Sequence, residues 1–149
     1  MFKRILLLFT LVVFTTSVMA FQCFFTLAKD NCWTNYQVTV VASDAETDDI
    51  LATIQIPKGK QWNRQAFDCE PSQKIKFTAT FSPTIWQGQE DMKYTGLQFW
   101  SLPDKIKGPI SAWVVPICFA SDFGQVPLPP TAISSCTCDF KAIPPVPPL

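Results

Sequence analysis

Histidine is absent from the 149-residue chain, and with it the side chain most often used to move protons near neutral pH. Glycine is scarce, with five residues, and forms neither a Gly-x-Ser-x-Gly turn nor a phosphate-cradling loop. No Cys-x-x-Cys pair occurs, which argues against a redox-active dithiol. Charge is balanced at 12 basic and 12 acidic residues, so no basic face is available to neutralise phosphates. Nucleic acid is excluded as a partner on that ground. No segment reaches the roughly 20 apolar residues needed to span a bilayer, so no transmembrane span is expected.

The start of the chain does have an apolar run. Lys3 and Arg4 precede Ile5 to Phe14, and Thr15 to Ala20 closes on small residues, the three parts of a secretory signal. Residues 1–20 are therefore expected to be a cleaved signal peptide, cut before Phe21, and the protein to be periplasmic or secreted. Cys23 is close to that point, but Gln22 stands where a lipid-attachment motif needs a small residue, so a lipoprotein is not expected.

The six cysteines, Cys23, Cys32, Cys69, Cys118, Cys136 and Cys138, all follow the signal. An even count in an oxidising compartment reads as three disulfides. The spacing does not fix the pairing. A short Cys23–Cys32 bridge is one expectation, leaving Cys69 and Cys118 to pair with Cys136 and Cys138. The competing metal reading has only Cys136 and Cys138 as a close pair and no histidine to help, so neither a metal nor another cofactor is expected.

Period-2 alternation marks strands at Tyr36 to Ala42, Ile50 to Ile56, Arg64 to Cys69 and Gln73 to Phe81. In the last, Ile75, Phe77, Ala79 and Phe81 alternate with Lys74, Lys76, Thr78 and Thr80. Tyr94 to Leu102 and Ile110 to Phe119 add two more strand-like runs, and Pro116 makes the final one an edge strand or breaks it with a bulge. Ser43 to Asp49 reads as a hairpin tip, and Lys58-Gly59-Lys60 and Glu70-Pro71-Ser72 as turns. No segment has a sustained helical repeat. The expected fold is all-β: an antiparallel β-sandwich, Ig-like or similar, of about six strands, or a small barrel, stapled by disulfides. The domain is expected over 21–126, followed by a proline-rich C-terminal segment over 127–149 that Cys136 and Cys138 tie down.

Three features are candidates for function. The acidic run Asp44-Ala45-Glu46-Thr47-Asp48-Asp49 offers oxygen ligands for calcium, but Asp49 and Gln55 stand where an EF-hand loop needs Gly and Glu. A solvated tip is the reading adopted. Of the five tryptophans, Trp62 and Trp86 are flanked by polar residues and least explained by a core, so they are the candidate ligand-binding residues, carbohydrate being the ligand that aromatic platforms suit. Pro144, Pro145, Pro147 and Pro148 form a stiff extended segment suited to docking on a protein partner. The sequence thus points to a non-enzymatic exported protein-interaction module, an accessory subunit of an envelope assembly or secretion machine. The alternative is a ligand-binding module of the carbohydrate-binding or hydrolase-inhibitor type.

Overall fold

The computed structural model describes residues 21–133 and 135–147. The expected signal and its cleavage point lie outside them, as does Pro148. Among the described residues no helix is long and apolar enough to cross a membrane.

The fold is an all-β sandwich of two sheets. One holds β1 (Phe21–Lys29), β4 (Trp62–Cys69) and β8 (Ala112–Phe119), in the order β4-β1-β8. The other holds β2 (Gln37–Asp44), β3 (Ile50–Ile56), β5 (Lys74–Ser82) and β6 (Tyr94–Thr95) in the order β3-β2-β5-β6, with β7 (Trp100–Ser101) also on β5. Pairing is antiparallel except between β1 and β8, which run parallel. Between β1 and β8 the chain builds β4 and the whole second sheet, and a connection that long can set two strands side by side in one direction.

Strands β2, β3 and β5 form because their alternation lets one face sink into the core while the other meets water. Val38, Val40 and Ala42 face inward with Ala52, Ile54, Ile56, Ile75, Phe77 and Ala79. The opposing sheet contributes Cys23, Phe25, Leu27, Phe67, Val115 and Ile117, and the rings of Phe25 and Phe77 meet across the layers with centroids 5.3 Å apart. Ile50, which alternation places inward, is exposed instead. A register shift between Ala42 and Ser43 puts it past the regular ladder. Gly59 turns the β3–β4 connection with φ +82°, a left-handed conformation that glycine adopts without a Cβ penalty.

Strand β1 gave no alternating signal because it is central to its sheet and covered on both sides: every residue from Phe25 to Lys29 is buried. Such strands read as continuous apolar runs. The single strand expected over Tyr94 to Leu102 is instead split into β6 and β7. Between them Gly96 approaches β5 closely, donating to the carbonyl of Phe77 at 2.8 Å, and a Cβ there would lie 3.4 Å from that of Phe77.

All six cysteines are paired, as Cys23–Cys69, Cys32–Cys136 and Cys118–Cys138. The expected Cys23–Cys32 bridge is not formed. Cys23 lies beside Cys69 on the inward face, because the antiparallel register sets Phe21 opposite Cys69 and Cys23 opposite Phe67. Cys32 lies in a 3₁₀ turn, Asn31–Trp33, after β1, where the C-terminal segment returns to meet it. Cys69 therefore bonds within the first sheet, while Cys118 does pair with a C-terminal cysteine as expected. Three disulfides are the mark of a protein of an oxidising compartment.

Candidate functional site

The proline-rich segment folds back across the outer face of the β4-β1-β8 sheet. Arg64, projecting outward from β4, donates through Nη2 to the carbonyl of Pro144 at 2.8 Å and through Nη1 to that of Pro145 at 3.4 Å. Its Nε donates to Thr26 Oγ1 at 2.9 Å, and its guanidinium lies 5.5 Å from the ring centre of Trp62. A planar fork can serve two carbonyls at once, which an ammonium cannot do in the same geometry. Two disulfides hold the same segment upstream, one to Cys32 and one to Cys118. Pro144, Pro145 and Pro147 remain exposed on their outer side.

Two sheet edges, β8 and β3, are partly closed to an added strand. On β8 the N–H of Cys118 donates to Asp122 Oδ2 at 2.6 Å, and the N–H of Asp122 donates back to the Cys118 carbonyl at 3.0 Å. Cys118 therefore points its backbone outward, away from β1, and by alternation so does Pro116, which has no N–H to offer. Proline and a capping turn blunt that edge in the manner expected of exposed strands. On β3 the outward carbonyl of Gln55 accepts from Asn63 Nδ2 at 2.9 Å.

The acidic tip is internally committed. Asp44 Oδ1 accepts from the N–H groups of Glu46 and Thr47, and Oδ2 accepts from Gln73 Nε2 at 2.8 Å. The Gln73 amide first, and then those backbone N–H groups, hold its carboxyl below the usual range. Asp48 pairs with Lys76, and Thr47 Oγ1 donates to Asp49. Elsewhere, Asp30 lies near the sulfurs of Cys32 and Cys136, but those sulfurs are bonded to one another. The Asp30 carboxylate instead accepts from the N–H groups of Cys32 and Ala120.

The two candidate tryptophans line separate cavities. Trp62 is half-buried in a cleft of about 200 Å³ shared with Lys29, Gln61 and Thr137. Trp86 is 58% exposed and walls an open cavity of about 500 Å³ with Gln89, Lys93, Tyr94, Leu97 and Gln125. Of the remaining three, Trp33 and Trp113 are core residues and Trp100 is partly buried.

The Trp86 cavity shares its Leu97 wall with a second one of about 190 Å³, floored by Phe77, Ile117 and Phe123 and rimmed by Phe99 and Trp100. Leu97 and Phe99 are each 64% exposed, and Met92 is 48% exposed. Folding thus leaves four large apolar side chains along a trough made of two adjoining cavities: Trp86 and Met92 line the first, Phe99 the second, and Leu97 both. Sequence reasoning singled out Trp86 and missed the other three. Leu97 and Phe99 sit in a strand-like run whose inward positions are taken by Tyr94, Trp100 and Leu102, so alternation itself leaves these two apolar side chains facing outward.

Compared with models of protein families, with curated proteins and with solved structures, the chain matches none of them.

Proposed function

We propose that the protein is a non-enzymatic, exported interaction module, periplasmic or secreted, that docks a protein partner on the trough around Leu97 and Phe99. The observation that carries this reading is the exposure of those two residues beside a cavity floored by core side chains. Large apolar residues grouped on one face are unfavourable in water and commonly mark recognition surfaces. Their surroundings fit a docking anchor: a side chain from the partner entering the cavity would meet Phe77, Ile117 and Phe123, an apolar floor already held by the sandwich.

The absence of histidine and the use of all six cysteines in disulfides support a role carried by surface rather than by reactive groups. Strand addition is the less favoured mode, given the Pro116 and Asp122 devices on β8. Service as a subunit of an envelope assembly or secretion machine is the setting this surface suits.

The test is co-purification of the disulfide-bonded protein from crosslinked cells. The wild type is expected in a stable complex that a Leu97→Asp, Phe99→Asp variant with an unchanged melting curve no longer forms. Recovery of the wild type as an uncomplexed monomer would overturn the reading.

A further inference from the structure

We propose that the cavity beside Trp86 is a saccharide site that takes a neutral pyranose ring. It shares the Leu97 wall with the docking surface but rests on Trp86, Gln89 and Tyr94 rather than on Phe99, so it goes beyond the protein-docking reading and does not depend on it.

A pyranose presents an apolar C–H face and a belt of hydroxyls. It therefore calls for an exposed aromatic surface surrounded by side chains that donate and accept hydrogen bonds. Trp86 supplies the surface, and Gln89, Lys93, Tyr94 and Gln125 line the same cavity. Its volume of about 500 Å³ is in the range of small-molecule sites, about 300–1,000 Å³.

A second and independent observation points the same way. Among the described residues, two buried side-chain atoms lack any hydrogen-bond partner, Gln89 Oε1 and Tyr94 Oη. Both belong to residues that line this cavity. Buried polar atoms are nearly always paired, so an unpaired couple in one place asks for a reason. Tyr94 is 5% exposed. Its backbone is fixed opposite Ala79 of β5, and its ring stacks on Phe81 with centroids 5.5 Å apart. Both atoms are closed to solvent in the free protein, so a sugar hydroxyl reaches them only when the half-buried Gln89 side chain turns; the phenol then donates and Gln89 Oε1 accepts, the complement of a hydroxyl that does both.

The charge around the site selects a neutral ring over an anionic one. Lys93 is the cation of the cavity lining, and it also lines an adjacent groove with Glu90 and Asp91. Neither carboxylate lines the sugar cavity itself, but the two together bring the net charge of Lys93 and its neighbours to −1, which gives a carboxylated or phosphorylated sugar no electrostatic advantage.

The test is titration of the intact, disulfide-bonded protein with cellohexaose, chitohexaose, mannohexaose and, as the anionic arm, polygalacturonate. Tryptophan fluorescence and calorimetry are the readouts. One or more neutral oligosaccharides is expected to bind. Trp86→Ala should weaken that binding at least tenfold and Trp62→Ala should leave it unchanged. Gln89→Leu gives a readout that a merely structural role would not: affinity falls while the melting temperature holds or rises, because an unpaired buried oxygen has been removed. Phe99→Asp should keep sugar binding whatever it does to partner capture, which separates this site from the docking face. Absence of binding to all the neutral sugars, binding to polygalacturonate alone, or wild-type affinity in Trp86→Ala would each overturn the proposal.

Discussion

The ammonium of Lys29 lies 2.6 Å from the carbonyl oxygen of Tyr36, inside the end of the sandwich. It also donates to the carbonyl of Pro57 at 3.0 Å, and the residue is 2% exposed. Among the described residues no carboxylate pairs with it, the one ion pair being Lys76 with Asp48. Burial lowers its pKa from 10.5 to about 8. The unfolded chain therefore binds more protons than the native one between pH 8 and 10.5, and stability rises with pH across that window. The slope contributed by one such group is at most about 1.4 kcal/mol per pH unit. Urea unfolding at pH 7.5 and 9.5 should show the native state gaining stability, and Lys29→Met should lose that gain. The neutral amine keeps two N–H groups for the two carbonyls, which is why deprotonation does not leave them unpaired.

Release of the C-terminal strap follows from Arg64. Its contacts to Pro144 and Pro145 are solvent-exposed, so Arg64→Ala should cost only about 1 kcal/mol of stability. The sharper effect is local: hydrogen exchange at Ile143 and Val146, and cleavage after Lys141, should rise well beyond the global change. Arg64→Lys should not restore protection, since an ammonium cannot reproduce the fork.

The three disulfides should differ in weight. Cys32–Cys136 joins residues 104 apart and Cys118–Cys138 residues 20 apart. Because the longer loop restricts the unfolded chain more, Cys32→Ser, Cys136→Ser should destabilise by about 1.5 kcal/mol more than Cys118→Ser, Cys138→Ser. Denaturant midpoints of the two double variants check the order. Non-reducing peptide mapping should find Cys136 and Cys138 bound to different partners.

Core packing between the layers predicts a large effect at Phe25. It is fully buried and touches Phe77 of the other sheet, so Phe25→Ala should cost about 3–5 kcal/mol. Phe99→Ala removes a similar volume from the surface and should change stability by about 0.5 kcal/mol or less. Melting curves of the two variants give the contrast between a buried and an exposed phenylalanine.

The legibility of these features in the sequence tracks how locally each is determined. β2, β3, β4 and β5 were readable because one face of each is wet, so burial leaves a period-2 trace. β1 was not, since both of its faces are covered, the outer one by residues more than a hundred positions away: Cys138 Sγ lies 3.6 Å from the Ala28 carbonyl. The disulfide map failed at Cys23 for the related reason that register, not sequence distance, decides which sulfurs meet. Trp86 was legible because its neighbours are polar. Leu97 and Phe99 were not, because the run Tyr94 to Leu102 carries apolar residues at both parities and alternation alone does not say which set faces the core. Lys29 carried no signal at all: its carbonyl partners come from two separate turns.

Protein docking at Leu97 and Phe99 is tested most directly by site-specific photocrosslinking in living cells. A benzophenone side chain placed at Phe99 should give an adduct with one defined protein, while the same group at Gln65, exposed on β4, should give none. No adduct from position 99, or the same adduct from both positions, would contradict the account.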